Sequence, residues 1–223
     1  MSLLTDGANP LGSEVLSLLP PVVRECITEP RWWQDELQGL HVMSALSDLS
    51  LPDGLTGYRR IDTANSLQWR WRGHALVHES CIIHNGVNFF GPVLIGPGCE
   101  IGPNATVYGP TVVESATYLG PCAEIRRCLL LAGAEVAHMS YVGHSILGRK
   151  VRLGAFFCVA VRNMRRGTVH MMSEGALVDT GEVTIGCVIA DGTETGVRTT
   201  VMPGRRIVDT PVVSANALVI KNC

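Results

Sequence analysis

The sequence has few aromatic residues, few charges and no long apolar run. Phe, Trp and Tyr make up 5% of the 223 residues, and Asp, Glu, Lys and Arg make up 17%. The formal net charge of −2 gives no electrostatic reason to expect nucleic acid or an anionic membrane as a main partner. No apolar stretch approaches the ~20 residues that a membrane-spanning helix needs. These features argue against a nucleic-acid-binding protein and against a membrane protein.

The eight cysteines lack any C-x-x-C pair and are scattered among aliphatic neighbours. We interpret them as small buried hydrophobic residues in a reducing compartment, and not as a disulfide framework or a zinc site. Residues 1–6 show no basic segment followed by an apolar one, so a signal peptide is not expected. The sequence therefore predicts a cytoplasmic protein without a metal site.

Glycine is abundant, with 24 residues, and hydrophobic residues make up 46% of the chain, which favours short strands joined by tight turns. Apolar residues also recur at every sixth position over eight consecutive steps. Neither a helix nor an amphipathic strand has a period of six. The positions are Val77, Ile83, Phe89, Ile95, Ile101, Val107, Val113, Leu119 and Ile125.

The six-residue period continues with interruptions. Some steps shorten to five residues, and the period is lost for a stretch before it returns near the C-terminus. The later positions are Leu130, Val136, Val142, Leu147, Leu153, Val159, Ile189, Thr195, Val201 and Ile207. In the simplest interpretation each hexad forms one strand and one turn, and three hexads form a coil whose inward residues stack on their equivalents. The sequence predicts an all-β protein, a parallel β-helix over residues 75–223.

Two segments depart from the repeat. Residues 1–74 are predicted to form a mainly helical N-terminal cap, with short helices over 13–19 and 32–46 that prolines interrupt. The four tryptophans of this cap are expected to cover the open end of the prism. Residues 160–182 lose the period and are predicted to form a loop that leaves the prism, and long loops on rigid scaffolds are often functional.

Several motifs are more specific than the repeat. The sequences GPCAEIRR at 120–127 and AHMSYVGHSILG at 137–148 resemble the acetyltransferase domain of bifunctional sugar-phosphate nucleotidyltransferase/glucosamine-1-phosphate acetyltransferase enzymes. The segments VDTG at 178–181, VIADGTETGV at 188–197 and MPG at 202–204 are similar to the archaeal-type branch of that family. The nucleotidyltransferase half is not expected, because the cap that precedes the repeats is too short for it and no Gly-rich phosphate loop opens the chain.

The resemblance implies a left-handed β-helix, a homotrimer with active sites between subunits, and transfer of acetyl from acetyl-CoA to an amino-sugar phosphate. The left hand is taken from the resemblance alone, because crossovers between parallel strands are usually right-handed. Transfer to an amine requires a proton acceptor, and a neutral imidazole suits this role near pH 7. The resemblance assigns the general base to His138.

The resemblance also implies the partners of that base. Tyr141 is at the position of a tyrosine that contacts the sugar phosphate. Arg126 replaces a phosphate-binding lysine, and arginine can bind phosphate through two parallel hydrogen bonds. The backbone amide of Ala155 is expected to stabilise the thioester oxyanion. Arg205 and Arg206 are predicted to contact phosphates of the coenzyme.

Five positions depart from the family pattern. Tyr108 stands in place of a phosphate-binding arginine, and Arg152 and Val161 stand in place of asparagines. Phe156-Phe157 replaces a small pair that contains glycine. Tyr108 and Arg152 are therefore expected to line an altered substrate pocket. His144, one hexad after His138, is expected to be a surface or interface residue on a neighbouring face.

Three functional hypotheses follow. The first is an acyl-CoA-dependent N-acetyltransferase that acts on an amino sugar or its phosphate. The second is a non-catalytic trimeric scaffold or regulatory subunit derived from such an enzyme, which the altered pocket would fit. The third is a metal-dependent hydratase of the γ-carbonic anhydrase kind, which requires histidines to converge on zinc. The candidate histidines for that site are His78, His84, His138 and His144.

Overall fold

The computed structural model describes residues 11–62 and 73–223. The helical elements lie in the first of these ranges. They are α1 (Gly12–Leu18), α2 (Pro21–Thr28), a 3₁₀ helix (Trp32–Gln34) and α3 (Gln38–Leu46).

Short strands make up the rest of the regular secondary structure among the described residues. In chain order they are β1 (Tyr58–Asp62), β2 (His74–His78), β3 (Ile82–Ile83), β4 (Asn88–Phe90), β5 (Val93–Ile95), β6 (Glu100–Ile101), β7 (Thr106–Tyr108), β8 (Thr111–Val113), β9 (Tyr118–Leu119), β10 (Glu124–Arg126), β11 (Leu129–Leu130), β12 (Glu135–Val136), β13 (Tyr141–Gly143), β14 (Ile146–Leu147), β15 (Arg152–Leu153), β16 (Cys158–Val159), β17 (His170–Ser173), β18 (Ala176–Asp179), β19 (Cys187–Ile189), β20 (Glu194–Thr195), β21 (Thr200–Val201), β22 (Arg205–Ile207), β23 (Val212–Val213) and β24 (Leu218–Val219).

Three parallel sheets form the faces of a prism. Face A contains β2, β5, β8, β11, β14, β19 and β22; face B contains β3, β6, β9, β12, β15, β20 and β23; face C contains β4, β7, β10, β13, β16, β21 and β24. One strand from each face makes a coil, so the described residues form seven coils. The predicted fold, a left-handed parallel β-helix, is confirmed.

The register follows the predicted period. On face A, Val77 pairs with Ile95 and Ile95 with Val113, so each of these coils consists of three full hexads. Val113 then pairs with Leu130 and Leu130 with Leu147, so each of the next two coils is one residue shorter. In both short coils the five-residue step falls at the corner between faces C and A. The inward residues stack into one apolar core along the prism axis.

An insertion interrupts the prism between its fifth and sixth coils. Val159 on face C pairs with Val201, which lies much further along the chain than one coil of three hexads would place it. The additional chain contains the antiparallel hairpin β17–β18. It leaves the prism after Val159, at the corner between faces C and A, and includes the loop predicted over residues 160–182.

The N-terminal helices pack along face A and not across the end of the prism. They bury outward apolar residues from six successive coils, which are Leu76, Leu94, Val112, Leu129, Ile146 and Val188. The predicted closure of the prism end by tryptophans is wrong for Trp32 and Trp33, because Trp32 donates a hydrogen bond to Asp191 Oδ1 (3.1 Å) beside the sixth coil. Trp69 and Trp71 lie outside the described residues. Instead, β1 pairs antiparallel with β2 and covers the edge of the first coil.

The cap also contains a helix that the sequence analysis missed. We expected Pro20 and Pro21 to interrupt helical structure, whereas α2 begins at Pro21. Proline is favoured at the first position of a helix because its missing N–H has no partner there. The face of α2 that holds Val23 and Cys26 is buried against the prism side. No helix among the described residues is long and apolar enough to cross a membrane.

Candidate functional site

A column of outward side chains on face C brings two of the predicted substrate-binding residues together. Phe90, Tyr108 and Arg126 occupy equivalent positions in three successive coils. The rings of Phe90 and Tyr108 are stacked, with centroids 4.9 Å apart and planes at 15°. The guanidinium carbon of Arg126 lies 4.3 Å from the centroid of the Tyr108 ring. Tyr108 thus holds the Arg126 guanidinium through a cation–π contact.

The next position in this column is Gly143, which leaves room for the side chain of Tyr141. A methyl group added to Gly143 would lie 2.5 Å from Tyr141 Oη and 2.9 Å from Val161 Cγ1. The phenol therefore lies over Gly143, one coil from Arg126. Burial raises the pKa of Tyr141, against the opposing effect of Arg126. The hydroxyl consequently stays protonated at neutral pH and can donate a hydrogen bond.

His138 lies at the corner between faces B and C, in the turn that precedes β13. The residue is exposed. Its ring meets the ring of Phe156 edge-on, with centroids 5.7 Å apart and planes at 79°. Its carbonyl accepts a hydrogen bond of 3.2 Å from the backbone N–H of Phe156. The imidazole is therefore accessible, and the Phe156 ring of the next coil flanks it.

Ala155 occupies the position equivalent to His138 in the next coil. Val136 pairs with Leu153, so the residues two positions after each of them are related by the same one-coil step. Adjacent strands in a sheet are about 4.8 Å apart, and the corner residues share this spacing. The backbone of Ala155 thus lies one coil from the backbone of His138, on the same corner as the expected base.

Arg152 lies on face B and is not part of the face C column. Its guanidinium forms ion pairs with Glu135 (3.3 Å) and Glu194 (3.5 Å), which come from the preceding and following coils. The outward positions of β12, β15 and β20 therefore form an alternating charge ladder. Within one chain, Arg152 does not contact the other predicted substrate-binding residues, because the B–C corner separates the two faces.

The two arginines predicted to contact the coenzyme have different environments. Arg206 is 5% exposed and donates hydrogen bonds to the carbonyls of Trp33 and Asp35, so it holds the cap against the last coil. The expectation that Arg206 contacts coenzyme phosphates is thus wrong, since its guanidinium is buried and engaged. Arg205 lines a cavity of about 530 Å³ between the hairpin and the last coil. The other lining residues include Met172, Leu177, Ile220 and Lys221.

The sequence analysis missed a basic cavity at the corner between faces C and A. Arg127 and His144 line it together with Arg126, and its volume is about 260 Å³. His144 was expected to be a surface or interface residue, but it is half-buried. The available signal was the five-residue step, which occurs at Arg127 and again at His144 and marks this corner as different from the others.

The candidate histidines of the metal hypothesis do not converge. His78 contacts the Ser80 hydroxyl (2.8 Å), and His84 pairs with Glu100 (2.9 Å) on face B. Across residues 11–62 and 73–223 there is no group of three His, Cys, Asp or Glu residues that could hold a metal ion.

Comparison with known proteins gives partial matches over the prism. A family model described as the GMPPB C-terminal domain matches residues 89–185. A bifunctional sugar-1-phosphate nucleotidylyltransferase/acetyltransferase of Sulfurisphaera tokodaii is 29% identical over 84 residues, which are 38% of this chain and 21% of that protein. The bifunctional protein GlmU of Methanococcus vannielii is 29% identical over 100 residues, which are 45% of this chain and 24% of that protein.

The resemblance to the hexapeptide-repeat acetyltransferase region of such enzymes is confirmed. The chain matches less than a quarter of the length of these two relatives. Among solved structures, a variant of perosamine N-acetyltransferase from Caulobacter crescentus, in complex with CoA and GDP-perosamine, is 15% identical with a TM-score of 0.28. The alignment covers 65% of this chain and 51% of that one.

Proposed function

We propose that this chain is an acyl-CoA-dependent N-acetyltransferase that acts on an amino sugar or amino-sugar phosphate. The observation that carries the proposal is the arrangement around His138. The exposed imidazole of His138 lies at one corner of face C, and the backbone amide of Ala155 lies one coil away. Tyr141 and Arg126 lie along the same face. A base, an oxyanion donor and an anion-binding group are the components that acyl transfer to a phosphorylated amine requires.

In the proposed reaction the acceptor amine attacks the thioester carbonyl while His138 removes its proton. The backbone N–H of Ala155 donates a hydrogen bond to the carbonyl oxygen as that oxygen gains negative charge. Collapse of the tetrahedral intermediate breaks the C–S bond, and the protonated imidazole returns the proton to the CoA thiolate. The acceptor becomes an amide and His138 is regenerated.

Substrate orientation comes from the face C column. Arg126 would bind the acceptor's phosphate, while the ring of Tyr108 packs against its guanidinium. The protonated phenol of Tyr141 would donate to the sugar or its phosphate. Val161 cannot hydrogen-bond in the place of a family asparagine, so the acceptor hydroxyl or amine nearby must be recognised by other groups.

The coenzyme and the assembly are part of the same proposal. The cavity beside Arg205 has apolar walls for an acyl-CoA arm, and its charged lining residues are Arg205, Lys221 and Glu36, so the two cations would bind the coenzyme's phosphates beside one carboxylate. We propose a homotrimer in which faces B and C meet neighbouring copies, because the chain's own helices cover face A. In such an assembly Arg152 on face B could complete the site of an adjacent subunit.

The deciding experiment measures consumption of acetyl-CoA with a panel of free amino sugars, amino-sugar phosphates and amino-sugar nucleotides. The variant His138→Ala should lower kcat by about 10²- to 10⁴-fold, the usual contribution of a general base. The matched control is His84→Ala, another exposed histidine that contacts Glu100 and lies three coils from His138. The proposal fails if no acceptor is turned over, or if both variants retain full activity.

The non-catalytic scaffold is the second candidate, and the apolar side chain of Val161 beside Tyr141 favours it. A scaffold needs the prism and its exposed faces but no coenzyme site. Absence of acetyl-CoA binding by calorimetry, together with a stable trimer by analytical ultracentrifugation, would support this candidate over the enzyme.

A further inference from the structure

The corner between faces C and A contains a cavity of which the proposed reaction uses Arg126 but not Arg127 or His144. Its volume is about 260 Å³ and it lies where the third and fourth coils meet the C-terminal end of α3. The lining residues are Ser47, Gly109, Pro110, Arg126, Arg127 and His144. This space is small for a whole coenzyme or sugar nucleotide but sufficient for one compact polyatomic anion.

The five-residue steps explain why Arg127 and His144 share this cavity. The two residues occupy the same corner in successive coils, each with a left-handed backbone (φ 52° and 50°). His144 N–H donates to the carbonyl of Arg126 (2.8 Å), which fixes the two coils relative to each other. A sixth residue at either corner would change the position of these side chains.

The electrostatics of the cavity favour an anion. Burial and the positive charges of Arg127, Arg126 and Arg162 lower the pKa of His144 to about 4. The imidazole Nδ1 is buried without a hydrogen-bond partner among the described residues. Glu124 pairs with Arg126 (3.1 Å) and partly offsets the charge of that guanidinium. A bound anion would relieve the repulsion among the cations and provide an acceptor for the imidazole.

Arg127 also contributes to the fold at this corner. One of its terminal nitrogens donates to the carbonyl of Met43 (2.9 Å) and to the hydroxyl of Ser47. These contacts hold its guanidinium at the cavity wall and connect α3 to the prism. The cation is therefore preorganised, which lowers the entropic cost of binding a ligand.

We propose that this cavity binds a phosphate group, with the Arg126 and Arg127 guanidiniums and the His144 imidazole as ligands. Guanidinium groups match phosphate oxygens in geometry and charge, and a protonated imidazole adds a third donor. The identity of the molecule that carries the phosphate rests on the proposed function. The acceptor is the favoured source, because His138 and His144 flank the same strand, β13.

Phosphate binding can be tested without any assay of acetyl transfer. Inorganic phosphate and pyrophosphate are titrated into the full chain at constant ionic strength, with chloride as the reference salt, by calorimetry and by imidazole ¹H–¹⁵N NMR. We expect binding that shifts the His144 resonances and raises the pKa of its imidazole. His144→Asn, which tolerates the left-handed backbone, should weaken binding by about tenfold or more. The control Arg59→Gln removes an exposed arginine on β1 and should bind like the original protein.

The phosphate site and the acetyltransferase activity can each be disproved separately. If phosphate does not bind, or binds equally to His144→Asn, the cavity is not a phosphate site whatever the activity. If acetyl transfer is observed, His144→Asn should raise KM for phosphorylated acceptors and leave KM for unphosphorylated amines unchanged. A rise in KM for acetyl-CoA alone would assign the phosphate to the coenzyme and overturn the acceptor as its source. If phosphate binds but no acceptor is turned over, the site stands and the acetyltransferase proposal fails.

Discussion

The imidazole of His138 stands edge-on to the ring of Phe156, which is the corner residue of the next coil. Phe156 has a left-handed backbone (φ 60°) and is 45% exposed, so its conformation is not that of an ordinary packing residue. On the other side, the guanidinium of Arg198 lies 5.8 Å from the same ring. The aromatic ring therefore restricts the orientations of the proposed base.

Replacing Phe156 should lower the acetyltransferase activity with little change in the free energy of unfolding. Phe156→Gly relieves a left-handed strain of about 1–2 kcal/mol while it removes the packing of a partly exposed ring, so the free energy of unfolding should change by less than about 1 kcal/mol. The kcat of acetyl transfer should fall about tenfold, because the imidazole is less well oriented. The control Cys122→Gly changes the same corner two coils earlier, at φ 57°, and should leave kcat unchanged. Equal kcat values for Phe156→Gly and the original chain would contradict the orienting role.

The position of the Tyr141 phenol depends on Gly143. In Gly143→Ala the new methyl group would lie 2.5 Å from Tyr141 Oη, 2.8 Å from Tyr141 Cζ and 2.9 Å from Val161 Cγ1, so the phenol must move. We expect KM for a phosphorylated acceptor to rise about tenfold. The free energy of unfolding should fall by about 1–3 kcal/mol, because the Val161 side chain is stiff and the site is overpacked. Gly167→Ala, where an added methyl group has no neighbour within 4 Å, is the matched control. If the two variants have the same kinetics, Tyr141 does not orient the acceptor.

His144 should make the stability of the chain depend on pH. Its pKa is about 4 in the folded protein, below the ordinary value of 6.5, because of burial and the charges of Arg127, Arg126 and Arg162. The unfolded state therefore binds the proton more readily, and stability falls as pH decreases from about 6.5 to about 4. The expected loss is roughly 3 kcal/mol, from about 1.4 kcal/mol per pKa unit. Urea unfolding at several pH values measures it.

The variant His144→Asn isolates this contribution from those of other groups. Its unfolding free energy should decrease less between pH 6.5 and 4 than that of the original chain. Parallel curves for the two proteins would show that the imidazole does not titrate with a lowered pKa. Saturating phosphate should reduce the difference, since an anion in the cavity favours the protonated imidazole.

The contact between the cap and the prism depends on Arg149. Its guanidinium pairs with Asp191 (3.0 Å) and donates to the carbonyls of Cys26 (3.1 Å) and Ile27 (2.6 Å) in α2. Arg149→Met should lower the free energy of unfolding by about 2–3 kcal/mol, because several partly buried groups lose their partner. Arg152→Met breaks only exposed pairs with glutamates on face B and should cost less than about 1 kcal/mol. Denaturant unfolding of both variants tests the difference, and equal losses would contradict it.

Much of the prism was predictable from residue spacing alone. The six-residue period is a local property, since each hexad contains its own strand and turn, and Val77, Ile95 and Val113 could be placed in the core before any contact was known. The motif around His138 and Tyr141 predicts one corner and one face for the candidate site. The six-residue period could be interpreted from the sequence because a coil contacts only its neighbours.

Other features depend on contacts that no local pattern encodes. The helices of the cap have apolar faces, but the sequence does not state whether those faces bury an open end or a side of the prism. Because the helices pack on face A, the Arg206 guanidinium is buried and donates to the Trp33 carbonyl. It is therefore not included in the proposed coenzyme site. Arg152 was assigned to a pocket by motif position, whereas its charged neighbours on face B come from the preceding coil and from the coil that follows the insertion.

Spacing within a few hexads is enough to establish the repeating strand and turn, the inward residues, the residue types at the His138 corner and the corner at which the five-residue steps fall. The face that the N-terminal helices cover depends on burial between segments far apart in the chain, so it became known only from the folded structure. The cavity formed by Arg126, Arg127 and His144 requires both the short steps and the helices on face A.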